Sequence, residues 1–100
     1  MRQSILQKDK SVCFLCGEPG GADPLDKHHV YGGTGRRKLS EKYGLFVYLH
    51  HFRCHEFGTE SAHQNAAVAR RLHRIAQKKA MEVHGLSVEA FIQIFGKNYL

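Results

Sequence analysis

A small α+β domain is what the sequence predicts, on three observations. Two pairs of metal-binding residue types recur at two-residue spacing, Cys13-x-x-Cys16 and His51-x-x-Cys54. Two short runs, one around His28-His29-Val30-Tyr31 and one over residues 45–49 (Leu-Phe-Val-Tyr-Leu), are built from strand formers. From about His63 to His84 the apolar residues return at helical spacing.

The 100 residues fit one domain with a thin core. Residues 1–11 read as a polar tail or short irregular helix, and residues 12–100 as the domain. A tight turn over residues 12–17 joins the first two cysteines, and Pro19, Gly20, Gly21, Asp23 and Pro24 make a loop. A short strand over residues 28–31 is broken by Gly32, Gly33 and Gly35, and the basic run Arg36-Arg37-Lys38 follows. The strand over residues 45–49 comes next. In the long helix Val68, Leu72, Ile75, Ala76 and Val83 mark the buried stripe, while Arg70, Arg74 and Lys78 fall on another face. Gly85 is its stop. Ser87 caps a last short helix in which Val88, Phe91, Ile92 and Phe95 form the docking stripe, and Gly96 ends it. Tyr43, Phe46, Tyr48 and Phe52 read as core residues. His73 and His84 read as surface or satisfied residues.

The formal net charge is +6, from 15 Lys and Arg against 9 Asp and Glu, which favours a polyanionic partner, most simply nucleic acid. No run approaches the roughly 18 apolar residues of a membrane span. The first ten residues lack the apolar core of a signal peptide. Three cysteines are an odd number for a disulfide framework. Cytoplasmic thiols holding a metal are the expectation.

Cys13-x-x-Cys16 followed by glycine is half of a structural zinc site, which needs four N or S ligands in a tetrahedron. His51 and Cys54 supply the other half, with His50 as the substitute for its neighbour His51. A two-histidine DNA-reading finger is disfavoured, because His28 and His29 are adjacent and cannot both serve as its histidine pair.

Six of the eight histidines fall between residues 28 and 63. On a strand His28 and His29 face opposite ways, so one can bind a metal while the other serves as a base. His55 and His63 can supply further ligands. Three protein ligands with open positions beside a free base suit phosphodiester hydrolysis by water. Arg36 or Arg37 can clamp the scissile phosphate, since a guanidinium fork matches phosphate oxygens. Lys38, with Arg70 and Arg74 on the helix, completes the candidate nucleic-acid contacts. Backbone contact without a base-reading helix predicts weak sequence preference and strong salt dependence.

Cys-x-x-Cys, then His-His-Val, then an apolar strand ending near Cys54-His55 resembles the frame of the HNH nucleases, of treble-clef or ββα-metal fold. Lys27-His28-His29-Val30-Tyr31-Gly32-Gly33, the stretch Arg36-Arg37-Lys38-Leu39-Ser40-Glu41-Lys42-Tyr43-Gly44-Leu45 and Phe95-Gly96-Lys97-Asn98-Tyr99 are similar to small phage HNH-like proteins related to the Ref-type, RecA-dependent recombination nucleases. The likeness runs from about residue 12 to the C-terminus. It implies that His28, His55 and His63 hold a catalytic Mg²⁺, Mn²⁺ or Zn²⁺, that His29 is the general base, and that His51 and Cys54 complete the structural zinc. It implies DNA and a RecA-type filament as partners, in a bacterial host cytoplasm. The middle Asn of the HNH pattern is replaced here by Tyr43-Gly44. The expected function is a metal-dependent DNA endonuclease or nickase. The alternative is a non-catalytic zinc module that binds nucleic acid or a recombination partner.

Overall fold

The computed structural model describes residues 3–33, 35–56 and 62–100. Its centre is an antiparallel hairpin of β1 (Leu25–His29) and β2 (Phe46–His50), in a register that pairs Leu25 with His50 and His29 with Phe46. β2 is rich in β-branched and aromatic residues, and all its positions except Tyr48 are buried, so both faces are covered. The two strands begin and end within a few residues of their predicted places.

Between the strands lies a helix the sequence did not predict, α1 (Arg36–Tyr43). Arg-Arg-Lys-Leu-Ser-Glu-Lys-Tyr carries no apolar stripe, and Ser40 is its one buried residue. The Ser40 hydroxyl explains that burial. It donates to the Tyr31 carbonyl at 2.9 Å and accepts from the Tyr31 N–H at 3.1 Å, so a polar group stands in for an apolar anchor. Gly44 ends α1 in the left-handed region at φ 77°, and a Cβ there would meet the Gln3 carbonyl oxygen at 2.8 Å.

That close approach comes from residues 3–7, which are not the tail expected of them. The Ile5 N–H donates to the Gly44 carbonyl at 2.9 Å, and the Ser4 hydroxyl donates to the Phe46 carbonyl. The Tyr48 N–H donates to Gln7 Oε1 at 2.8 Å, and the Phe14 N–H donates to the Tyr48 carbonyl at 2.8 Å. The edge of β2 that does not pair with β1 is thereby satisfied and covered.

The long helix α2 (Ala66–His84) starts three residues later than predicted, where the Asn65 side chain accepts from the N–H groups of Ala67 and Val68. Val68, Leu72, Ala76 and Ala80 are buried along it at four-residue steps, together with Gln77. Ile75 and Val83, read as part of the stripe, are 37% and 49% exposed, because the buried line is a narrow i, i+4 ridge. The last helix α3 (Val88–Phe95) is capped by the Ser87 hydroxyl, which accepts from the Ala90 N–H at 3.1 Å. Phe91 and Phe95 stack with ring centres 4.6 Å apart and pack on Tyr31, while Ile92 of the predicted stripe is 36% exposed. Buried Gln77 ties the chain end to this core, donating to Asn98 Oδ1 at 2.9 Å and accepting from the Tyr99 N–H at 2.6 Å. Among the described residues no helix is long and apolar enough to cross a membrane.

After β2 the chain makes one wide π-helical turn, His51–Glu56. Such turns carry an extra residue per turn, and here consecutive residues are delivered to different side-chain clusters.

Candidate metal centres

The turn after Val12 is drawn tight by the Cys13 N–H on the Glu18 carbonyl at 2.8 Å and the Gly17 N–H on the Cys13 carbonyl at 2.8 Å. It places the Cys13 and Cys16 sulfurs beside the end of β2. There His50 Nδ1 lies 3.3 Å from Cys16 Sγ and 3.9 Å from Cys54 Sγ. The donor atoms of Cys13, Cys16, His50 and Cys54 all lie within 4.8 Å of one another, a set that could hold a metal ion. His50 Nε2 is 2.9 Å from the Pro19 carbonyl oxygen, which only accepts, so Nε2 carries the proton and the Nδ1 lone pair faces the sulfurs.

The electrostatics of the cluster suit a cation ligand set. Burial pushes the Cys13 thiol up, but N–H groups of Cys16, His50 and Leu15 outweigh it and bring it down to about 7. Burial and the neighbouring sulfurs of Cys13 and Cys16 push Cys54 up to about 12. The Cys54 sulfur therefore keeps its proton beside that of Cys13 unless a cation offsets the charge. A guanidinium nitrogen of Arg53 is drawn to the same donors, 3.1 Å from His50 Nδ1.

His51, expected in this set, is not in it. Its ring bonds through Nδ1 to Asp26 Oδ2 on β1. Pairing of β1 with β2 buries His50 opposite Leu25, and the wide turn then lets Cys54 return beside it across three intervening residues. The substitute named from the sequence, His50, is the histidine that meets the cysteines.

The second cluster joins His28 of β1, His55 of the π-helical turn and His63 ahead of α2. Ring centres are 4.9 Å apart for His28 and His55, 5.4 Å for His28 and His63, and 4.8 Å for His55 and His63. Their donor atoms lie within 4.8 Å of one another. Two backbone bonds bring His63 back alongside His55: the Ala62 N–H on the Cys54 carbonyl at 2.8 Å and the His63 N–H on the His55 carbonyl at 3.2 Å. Burial, then the neighbouring imidazoles of His55 and His63, push His28 down to about 3. It is thus neutral at physiological pH, the form that ligates metals.

His29 turns from this cluster to α1, where its Nε2 is 2.8 Å from Glu41 Oε1. Glu41 is held low first by that bond and also by Lys27, whose Nζ is 3.2 Å away. Even so, His28 and His29 line one cleft of about 330 Å³, with Lys27, Gly32, Gly33, Arg37, His55 and His63. A neighbouring cleft of about 510 Å³ shares His29 and Arg37 and adds Lys38, Glu41 and Lys42.

Of the predicted phosphate contacts, Arg37 and Lys38 therefore reach the clefts. Arg36 does not line them, and its guanidinium lies by Gly96 at the end of α3. Arg70 and Arg74 are exposed on α2 and line neither cleft. Phe52, read as core, is 55% exposed and packs edge-on against His51 at 4.6 Å.

Two acidic residues at the site escaped the sequence reading. Glu41 sits on the unpredicted helix. Asp26 lies two residues before His28 on the same strand, so both side chains are on one face, and that alternation was the available signal. The donor atoms of Asp26, His51 and His55 also lie within 4.8 Å of one another, with the carboxylate bonded to both rings. No family model matches the chain, and neither a curated protein nor a solved structure matches it.

Proposed function

We propose that this chain is a metal-dependent DNA endonuclease or nickase of the HNH type, on a treble-clef, ββα-metal frame stapled by a structural zinc. The observation that carries the reading is the convergence of His28, His55 and His63 in a cleft that also holds His29 and Arg37.

The donors suit a metal. His28 is kept neutral by burial, and three imidazoles leave positions open toward the cleft. His28, His55 and His63 would hold a Mg²⁺, Mn²⁺ or Zn²⁺ ion, which when bound offsets charge developing on the phosphate and the leaving oxygen. His29 takes the proton of the attacking water. Glu41 orients the His29 ring and offsets the charge it gains. Arg37, where the two clefts meet, engages a phosphate oxygen through its guanidinium fork. Lys38 and Lys42 extend the basic wall beside it, which suits a polyanionic strand running past the cluster. Cys13, Cys16, His50 and Cys54 would hold the zinc that fixes the π-helical turn and so the place of His55. A RecA-type filament is the partner that the resemblance to Ref-type nucleases adds to this reading.

The test is a supercoiled-plasmid nicking assay with Mg²⁺ or Mn²⁺, with and without chelator, on wild type and His29→Ala. Metal-dependent nicking that disappears in His29→Ala supports the reading. Equal inertness of both proteins, with retained DNA binding, would make the chain a zinc-stapled binding module instead.

A further inference from the structure

The reading above leaves Asp26 without a part. Its carboxylate is anchored on β1, where Asp26 pairs with Leu49 of β2. Its Oδ2 lies 3.1 Å from His55 Nδ1 and is also bonded by His51 Nδ1. An ionised carboxylate only accepts hydrogen bonds, so both rings must donate through Nδ1. Each imidazole then carries its lone pair on Nε2.

For His51 this has no evident consequence. For His55 it matters, because the ring bonded to Asp26 also packs against the imidazoles of His28 and His63, with ring centres 4.9 and 4.8 Å away. A neutral imidazole can ligate an ion only through the nitrogen that lacks the proton. With Nδ1 spent on Asp26, Nε2 is that nitrogen.

We propose that Asp26 is a positioning residue, which holds His55 as the Nδ1–H tautomer and so commits its Nε2 to the metal cluster with His28 and His63. The ligand-holding part of this rests on the nuclease reading, whereas the tautomer does not. Carboxylate partners of ligating histidines fix ring orientation and raise ligand basicity, and their loss weakens metal binding by about 10–100-fold. The location of Asp26 also lets β1 set both a ligand, His28, and the orientation of a second, His55, from one face of one strand.

The test uses the full chain with its tightly held zinc. Proton–nitrogen correlation spectra of the ring nitrogens report each histidine's tautomer, and a Mn²⁺ or Co²⁺ titration reports the exchangeable site. We expect His55 in wild type as the Nδ1–H form. In Asp26→Ala it shifts toward Nε2–H, and the exchangeable ion binds about 10–100-fold more weakly while one chelator-resistant zinc per chain is kept. Asp26→Asn, which preserves shape and one acceptor, should fold as wild type and show a smaller loss. A wild-type His55 in the Nε2–H form would overturn the proposal. So would a tautomer and ion affinity that are the same in wild type and both variants. A tautomer that follows Asp26 in a protein binding no exchangeable ion would uphold the role of Asp26 toward His55 and overturn the nuclease reading.

Discussion

Cys54 and His55 are chain neighbours that serve different clusters. Cys54 Sγ lies 3.9 Å from His50 Nδ1 among the cysteines, while the His55 ring packs 4.9 Å from that of His28 in the cleft. One π-helical turn therefore holds both centres, and disturbance of the first must reach the second.

If the Cys13, Cys16, His50 and Cys54 cluster holds the proposed zinc, removing that zinc should abolish more than its own site. Zinc bound by four such ligands contributes on the order of 10 kcal/mol to folding, comparable with the whole stability of a domain. Cys13→Ser or Cys54→Ser, or stripping the zinc with a strong chelator, is expected to unfold the chain. Circular dichroism with zinc release measured in parallel checks this, and a folded, zinc-free Cys54→Ser would contradict it.

His29 and Glu41 should act as one unit in kinetics. Under the proposed nuclease function, His29→Ala is expected to lower the nicking rate by about 10²–10⁴-fold, the usual contribution of a general base. Glu41→Gln keeps the shape but loses the charge beside His29, and should lower the nicking rate by up to about 10⁴-fold, while metal affinity stays unchanged. Both variants should melt close to wild type, and a matching drop in Tm would assign them to folding instead.

Arg37 and Arg70 make a paired comparison. Arg37 stands where the two clefts meet, whereas Arg70 lines neither. If the chain binds DNA as proposed, Arg37→Ala should weaken that binding and reduce the slope of log K against log salt by about 1. Arg70→Ala should change both less. Fluorescence anisotropy across a salt series decides, and equal effects would move the interface to α2.

Gln77 anchors the C-terminal residues from inside the core. Gln77→Leu leaves Asn98 Oδ1 and the Tyr99 N–H without their partner. A loss of about 1–3 kcal/mol is expected from urea unfolding. An unchanged midpoint would mean that water replaces the amide.

His73 adds to a pH dependence that His28, pushed down further, also sets. Burial lowers His73 below its ordinary 6.5, more than its bond to the Val30 backbone raises it. As pH falls through about 6.5 the unfolded chain takes up the proton before the folded one, so stability present above that pH is lost below it. His73→Gln should flatten the fall in Tm between pH 7.5 and 5. Superimposable wild-type and variant curves would refute the assignment.

Local features of the chain are legible without coordinates. Asn or Ser ahead of an apolar stripe, and glycine after it, act within a few residues, and α3 and the end of α2 are read from them. The Cys13-x-x-Cys16 turn and the alternation of His28 and His29 along a strand are equally local. α1 was not legible because its anchor is a hydroxyl on the backbone of Tyr31, a partner that hydrophobic periodicity does not register.

The sequence by itself determined two short strands, two helices after them, and the residue types from which both clusters are drawn. Tertiary structure alone decided that His50 and not His51 faces the cysteines, that Glu41 meets His29, and that Asp26 meets His55. The reason is that spacing along a chain fixes which residues share a face, whereas the partner of that face depends on strand register and on one wide turn.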